Sequence, residues 1–332
     1  MNRLRRVFLF AALFAVLAGV PVFSITIKLA SVAPEQSPWG SALNQLAVDW
    51  ARISNGQVRL TVYHNAIAGE ESDVLRKMRI GQLQAGVFTS AGMKQIVPEV
   101  FSISVPFMIR SEEQLDYVME RVRPELEELF AQSRMHVLSW SRAGWVHFFS
   151  KEPVTYPEDL RSQRLASDPN DLELQQAFKI MGYNPIPMPQ PELLTSLNSG
   201  LVDAFYTSPL VAGGYQWFAL APHMLNLKVA PFLGTIVISD TAWRRIPDGI
   251  KDDLIAAAQE VAAQIDEDVR RLEEEALQSM QRYGLEVTEV TPQIEQAWVD
   301  YVGRYSDAML DVFEPEMTQR VRDILSDFQR RR

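Results

Sequence analysis

The chain has 332 residues, enough for two domains of ordinary size, and its 47% hydrophobic content supports large cores and argues against disorder. It contains no cysteine, which excludes disulfides, thiol catalysis, iron–sulfur clusters and a lipid-anchored bacterial N-terminus. A formal net charge of −10 makes it a poor partner for nucleic acid, DNA included, or for anionic lipid.

Arg3, Arg5 and Arg6 precede an apolar run over residues 7–20, and Val22-Phe23-Ser24 offers a cleavage point near Ser24. This is the pattern of a secretory signal peptide over residues 1–24, so the mature protein is expected to be exported. An uncleaved anchor is the competing reading, and the apolar run is short for a membrane span.

From Ile25, ITIKLASV alternates and stops at Ala33-Pro34, a first strand. Ser37-Pro38-Trp39 opens a helix with Leu43, Leu46, Ala47 and Trp50 on one face, and Asn55-Gly56 ends it. Residues 57–63 alternate as a second strand. Gly69-Glu70-Glu71-Ser72 starts a helix with acids in its first turn, where they suit the helix dipole. Gly81 closes it, a strand runs to Ser90, and Val105-Pro106-Phe107 is an apolar loop. Residues 111–132 form an acidic amphipathic helix, expected as a solvated outer layer. Residues 135–140 are strand-like and lead into the aromatic-rich SRAGWVHFFS, 141–150, the expected crossover to a second lobe.

A strand at 163–167, a helix at 171–181 and a strand at 184–188 follow; two prolines make the last one short or place it at an edge. Residues 229–239 are a long β-like run that would return the chain to the first lobe. Residues 248–283 lack Pro, and internal Gly after Gly249, and carry an apolar stripe that includes Leu254, Val261, Ile265 and Val269. At 1.5 Å per residue such a helix runs on the order of 50 Å, longer than one lobe. It either bridges both lobes or pairs as a coiled coil, and its imperfect heptads favour bridging. A strand at 285–290 and two helices broken near Glu314-Pro315 complete the chain.

One stretch organises the rest. GLVDAFYTSPLVAGGYQW, residues 200–217, is a strand that stops at Thr207-Ser208-Pro209 and continues into a Gly- and aromatic-rich turn. GQLQAGVFTS, residues 81–90, repeats its plan, with Phe88-Thr89-Ser90 matching Tyr206-Thr207-Ser208. Leu29-Ala30-Ser31 and Leu165-Ala166-Ser167 form an earlier matching pair. Two α/β units of like layout imply two lobes whose strand ends face a shared cleft, where open α/β sheets place ligands.

No GxSxG, GxxxxGK[ST], GxGxxG, HExxH or CxxC occurs, and the four histidines show no metal-ligand spacing. Neither catalysis nor a cofactor or metal is therefore expected. The alternative is a secreted α/β hydrolase or isomerase using His147 with a carboxylate partner.

The LAS-type first strand, SNGQVRLTVYHN, GEESDVLRKMRIGQLQAGVFT, VPFMI, FSKEPVTYPEDLRSQRL, NPIPMPQPELLTSLNSGLVDAF and the helix after WRRIPDGIKDDL resemble the DctP-type solute-binding proteins of TRAP transporters over nearly the whole mature chain. The resemblance implies a periplasmic, two-lobed α/β receptor of the periplasmic-binding-protein type, with mixed sheets, two crossovers and a helix spanning both lobes. It implies delivery of a small solute to TRAP membrane permease subunits, in some members alongside a TPR-repeat periplasmic lipoprotein. The family's usual carboxylate-clamping Arg falls here on Ala166, a second basic position on Val146, and the usual Asn before Pro on Ser208. A solute with apolar character and one anionic end, a monocarboxylate for example, is the expectation, with Arg142 or Arg164 as a displaced anion contact.

Lobe I is expected over residues 25–141 with 232–265, lobe II over 142–231 with 285–332, and the spanning helix over 248–283. The expected ligand-binding residues are Trp39, Glu70, Thr89, Ser90, Phe107, Trp145, Phe148, Tyr206, Thr207, Ser208 and Trp217. The hydroxyls would hold a polar end and the rings would flank the body of the solute.

Overall fold

The structure is a computed structural model that describes residues 24–331, so the expected signal peptide lies outside the described residues except for Ser24. Its strands are β1 Ile25–Ala30, β2 Val58–Tyr63, β3 Ala85–Thr89, β4 Met135–Ser150, β5 Arg164–Ser167, β6 Asn184–Pro187, β7 Ala204–Thr207, β8 His223–Ser239 and β9 Glu286–Thr288. They form one mixed sheet in the order β2-β1-β3-β8-β4-β7-β5-β6, with β9 beside β8.

That order reads alike from both ends. β1 runs parallel to β2 and β3, and β3 lies antiparallel to β8. In the other half β5 runs parallel to β6 and β7, and β7 lies antiparallel to β4. The repeated sequence units thus become repeated half-sheets. β6, with Pro185 and Pro187, sits at the sheet's end, where the missing N–H groups cost no ladder bond.

β4 and β8 are the two crossovers. Each is one long strand, so 141–150 continues β4 and 223–228 adds to the expected 229–239. They pair from Met135↔Ser239 to Ser150↔His223, with register shifts at Val137/Ser139, Arg142/Trp145 and Val146/Phe148. Bulges of this kind bend a strand and raise its local twist, which lets one ribbon serve two differently inclined half-sheets. At the middle shift Gly144 takes φ +97°, a left-handed conformation that glycine adopts without strain.

The helix Pro38–Ile53 starts with Pro at its first turn and with Ser37 Oγ accepting from Gly40 N. It buries Leu43, Leu46 and Trp50. These pack with Leu254, Ala258, Val261, Ile265 and Val269 of the long helix Asp248–Arg282. Farther along, Met280 of that helix joins Leu197, Phe205 and Trp217 in the other half. The helix therefore bridges both halves, as its length implied. Among the described residues, no helix is long and apolar enough to cross a membrane.

The final helix Pro315–Arg330 departs from expectation. The sequence places residues 285–332 in the second lobe, and Trp298 and Tyr301 do pack there with Phe148 and Phe178. Met317, Val321 and Leu325 instead join Val118, Val122 and Phe130 of the helix Glu112–Gln132, and Tyr117 Oη donates to Asp327 at 2.6 Å. The helix Glu112–Gln132 has an apolar face that water cannot cover, so it is partly lined by the chain's own end rather than wholly solvated.

Candidate functional site

A cavity of about 340 Å³ opens where the carboxyl ends of β1 and β3 meet those of β5 and β7. Ser31, Thr89, Ser167 and Thr207, four hydroxyl residues at the strand ends of the repeated units, all border it. Ser31 Oγ accepts from Ala33 N at 3.1 Å and so shapes its own turn. Ser167 is buried, and among the described residues its hydroxyl has no hydrogen-bond partner. A buried hydroxyl left free beside a cavity is poised for a guest, because desolvation without a bond is unfavourable.

Glu71 supplies a strongly perturbed acid to the site. It lies in the first turn of the helix Glu71–Arg79 and reaches β3, where Thr89 N donates to Oε1 at 2.8 Å and Thr89 Oγ1 donates to Oε2 at 3.0 Å. Burial pushes the carboxyl up to about 7 against the pull of the Thr89 bonds, and the nearby acids Glu70 and Asp168 add to the rise. Asp168 also borders the cavity. Among the described residues lining it there is no Lys, Arg or His.

Rings form much of the remaining wall. Trp39 enters from the start of its helix, and Tyr206 packs edge-on against Phe178 at 5.3 Å. Trp217 meets Phe205 edge-on at 5.6 Å and stacks on half-exposed Tyr215 at 4.8 Å.

Of the expected site residues, Trp39, Thr89, Tyr206, Thr207 and Trp217 border the cavity. The others do not. Glu70 is exposed at the helix N-cap, and its neighbour Glu71 takes the place expected of it. Ser90 is buried, accepting from Ser104 Oγ at 3.0 Å and from Leu233 N at 3.4 Å. Ser208 is wholly buried and caps the helix Pro209–Gly214 by accepting from Val211 N. Phe107 and Phe148 stack on Trp298 at 5.3 and 5.8 Å inside the core. Trp145 is buried, donates its indole N–H to Glu112, and lies beneath Lys228 Nζ at 4.6 Å.

The proposed anion contacts are likewise elsewhere. Arg142 pairs with Glu112 and Asp116, and Arg164 grips Asp203 with two bonds of 2.7 and 2.8 Å. Ala166 borders the cavity. The sequence reading placed Glu71 beside Glu70 at the family's acid position, and it missed Asp168 and Gln190. Ser31 and Ser167 were visible as repeat ends, a signal sufficient to have selected them.

His147 is not hydrogen-bonded to a carboxylate. It is buried with Nδ1 3.4 Å from Leu225 O, and burial pushes its pKa down to about 4. Its hydrogen-bond partner is a carbonyl rather than a carboxylate. Among the described residues no cluster of three or more His, Cys, Asp or Glu side chains could hold a metal ion.

Comparison with known proteins agrees with this architecture. The model of the DctP family, bacterial extracellular solute-binding protein family 7, matches residues 29–311. A solute-binding protein of Chromohalobacter salexigens is 26% identical over 272 residues, 78% of this chain and 78% of its own. The ectoine-binding periplasmic protein TeaA of Halomonas elongata is 21% identical over 285 residues, 79% of this chain and 82% of its own. The crystal structure of a TRAP periplasmic solute-binding protein from Chromohalobacter salexigens with bound D-glucuronate has the same fold. It superposes with a TM-score of 0.82 at 22% identity, covering 90% of this chain and 99% of that one. Matched from β1 to the helices beyond β9, the chain belongs to the bacterial extracellular solute-binding proteins of family 7, the DctP family of TRAP periplasmic receptors.

Proposed function

We propose that the chain captures a small organic solute in the cavity between its half-sheets and delivers it to the membrane subunits of a TRAP-type secondary transporter. The observation that carries this is the convergence of Ser31, Thr89, Ser167 and Thr207 on one ring-walled cavity. Two separate sequence units have been brought strand end to strand end, and a solute bridging them would join both halves. The β4 and β8 bulges near Arg142–Trp145 are the natural hinge for closure, since strand pairing is interrupted there. Handover to permease subunits, and the involvement of a TPR-repeat lipoprotein, rest on resemblance to the family. The relatives' ligands, glucuronate and ectoine, set the expected size of the guest.

Native mass spectrometry of freshly purified protein tests the proposal. A small molecule should co-purify with the chain and be lost when Tyr206 and Trp217 are both changed to Ala. Undiminished retention in that folded double variant would remove the cavity as the binding site.

A further inference from the structure

We propose that the solute taken by this cavity is an organic amine bound as its ammonium form, carried on an apolar body, and not a carboxylate; this rests on the receptor function proposed above. The cavity is bordered by Glu71 and Asp168 and by no Lys, Arg or His among the described residues. The nearby guanidiniums are committed elsewhere, Arg142 to Glu112 and Asp116 and Arg164 to Asp203. An entering carboxylate would lose its water and meet like charge, with no cation to replace the solvent.

Two donor groups that could hold an anion are also occupied. The N–H and hydroxyl of Thr89 sit at a strand end, where a solute carboxylate would seek them. Both already bind the Glu71 carboxylate, at 2.8 and 3.0 Å. Glu71 thus fills the anion position with the protein's own charge and turns the pocket into a cation site. The N–H of Val211, at the start of the helix Pro209–Gly214, is likewise given to Ser208.

The charges that raise Glu71 are those of Glu70 and Asp168, both acids, and among the described residues it forms no salt bridge. An ammonium group would supply the counter-charge and could donate to the unpartnered hydroxyl of Ser167. The rings of Tyr206 and Trp217, which border the cavity, suit the hydrocarbon body of such a solute by burial.

The test uses matched pairs of primary amines and carboxylates sharing alkyl, cyclohexyl or phenyl bodies, added to the full mature protein. Binding is read by thermal shift and titration calorimetry. At least one amine should bind on the order of tenfold or more tighter than its carboxylate counterpart. Its affinity should fall several-fold from pH 8 to pH 6, as Glu71, at about 7, takes up a proton. Glu71→Gln and, separately, Asp168→Asn at the more exposed rim should each weaken amine binding and leave or improve carboxylate binding. Tighter binding by the carboxylates, or by neither series, overturns the assignment. Native mass spectrometry separates the two levels: an anionic co-purified solute overturns the amine assignment alone, whereas no solute together with no panel binding overturns the receptor function as well.

Discussion

Thr89 gives both of its hydrogen-bond donors to Glu71, the backbone N–H to one carboxylate oxygen at 2.8 Å and the hydroxyl to the other at 3.0 Å. The two bonds tie the start of the helix Glu71–Arg79 to the carboxyl end of β3, so the cavity wall is set before any solute arrives. The arrangement also keeps an ionisable group where water is scarce, and this has a measurable consequence.

Glu71 titrates at about 7 in the folded protein against an ordinary 4.5. The folded state therefore holds a proton that the unfolded chain releases. Its contribution to stability is full below about pH 4.5 and declines as the pH rises toward 7. Glu71→Gln removes that slope. Relative to the variant, the solute-free wild type should lose up to about 3 kcal/mol between pH 4.5 and 8, less where the carboxyl meets solvent. Urea titrations of both proteins at several pH values check this; parallel pH curves would refute it.

The rings of the core and the rings of the cavity should respond differently to truncation. Phe148 is fully buried against Phe107 and Trp298. Phe148→Ala should cost about 3–5 kcal/mol of stability, while Phe148→Leu costs less and leaves solute affinity near wild type. Trp217→Ala should weaken binding by an order of magnitude or more, because its ring borders the cavity. Denaturant midpoints and calorimetric affinities measured side by side decide the point.

Lys94 links the two halves. It follows the short helix Ser90–Met93, and its Nζ lies 2.7 Å from Asp171 and 2.6 Å from Glu173 at the start of the helix Leu172–Ile180. Lys94 and Asp171 are both nearly shielded from solvent, so Lys94→Met leaves a buried carboxylate without its cation at a cost of about 3–5 kcal/mol. Because this pair joins elements on opposite sides of the cavity, the variant should also favour an open form. Small-angle scattering should show a larger radius of gyration without solute and a smaller difference once solute is added. Asp171→Asn in the same chain should restore much of the stability.

Gly144 at the β4 bulge holds φ +97°, and a Cβ there would collide with the Glu273 carboxylate. Gly144→Ala should destabilise by about 1–3 kcal/mol. Glu273→Ala in the same chain relieves the collision and leaves the backbone strain, so rescue should be partial. Complete rescue would show that the left-handed conformation carries no strain.

Much of the fold was legible because it depends on local patterns. Alternation marked most strands, Ser37-Pro38 and Gly81 marked helix ends, and the length of 248–282 required a helix longer than one half. Thr89 and Thr207 were legible as repeated strand-end hydroxyls, but their neighbours Ser90 and Ser208 are buried, one bonded to Ser104 and Leu233 and the other capping a helix. The choice between Glu70 and Glu71 was not legible. Adjacent helical residues point about 100° apart, so the angle at which the helix docks on β3 selects the inward carboxyl. Phe107, Trp145 and Phe148 were equally illegible, because a ring is as fit for a core as for a pocket wall.

Sequence alone determined that there are two like α/β units, that their strand ends carry hydroxyls, and that one long helix must cover both. These follow from periodicity and length, which neighbouring residues along the chain express in full. Tertiary structure decided which rings are buried, which acid faces inward, and that Arg142 and Arg164 are spent on Glu112, Asp116 and Asp203 before any solute arrives. Those outcomes depend on side chains from distant segments competing for the same space and the same charge, and no local stretch contains that competition.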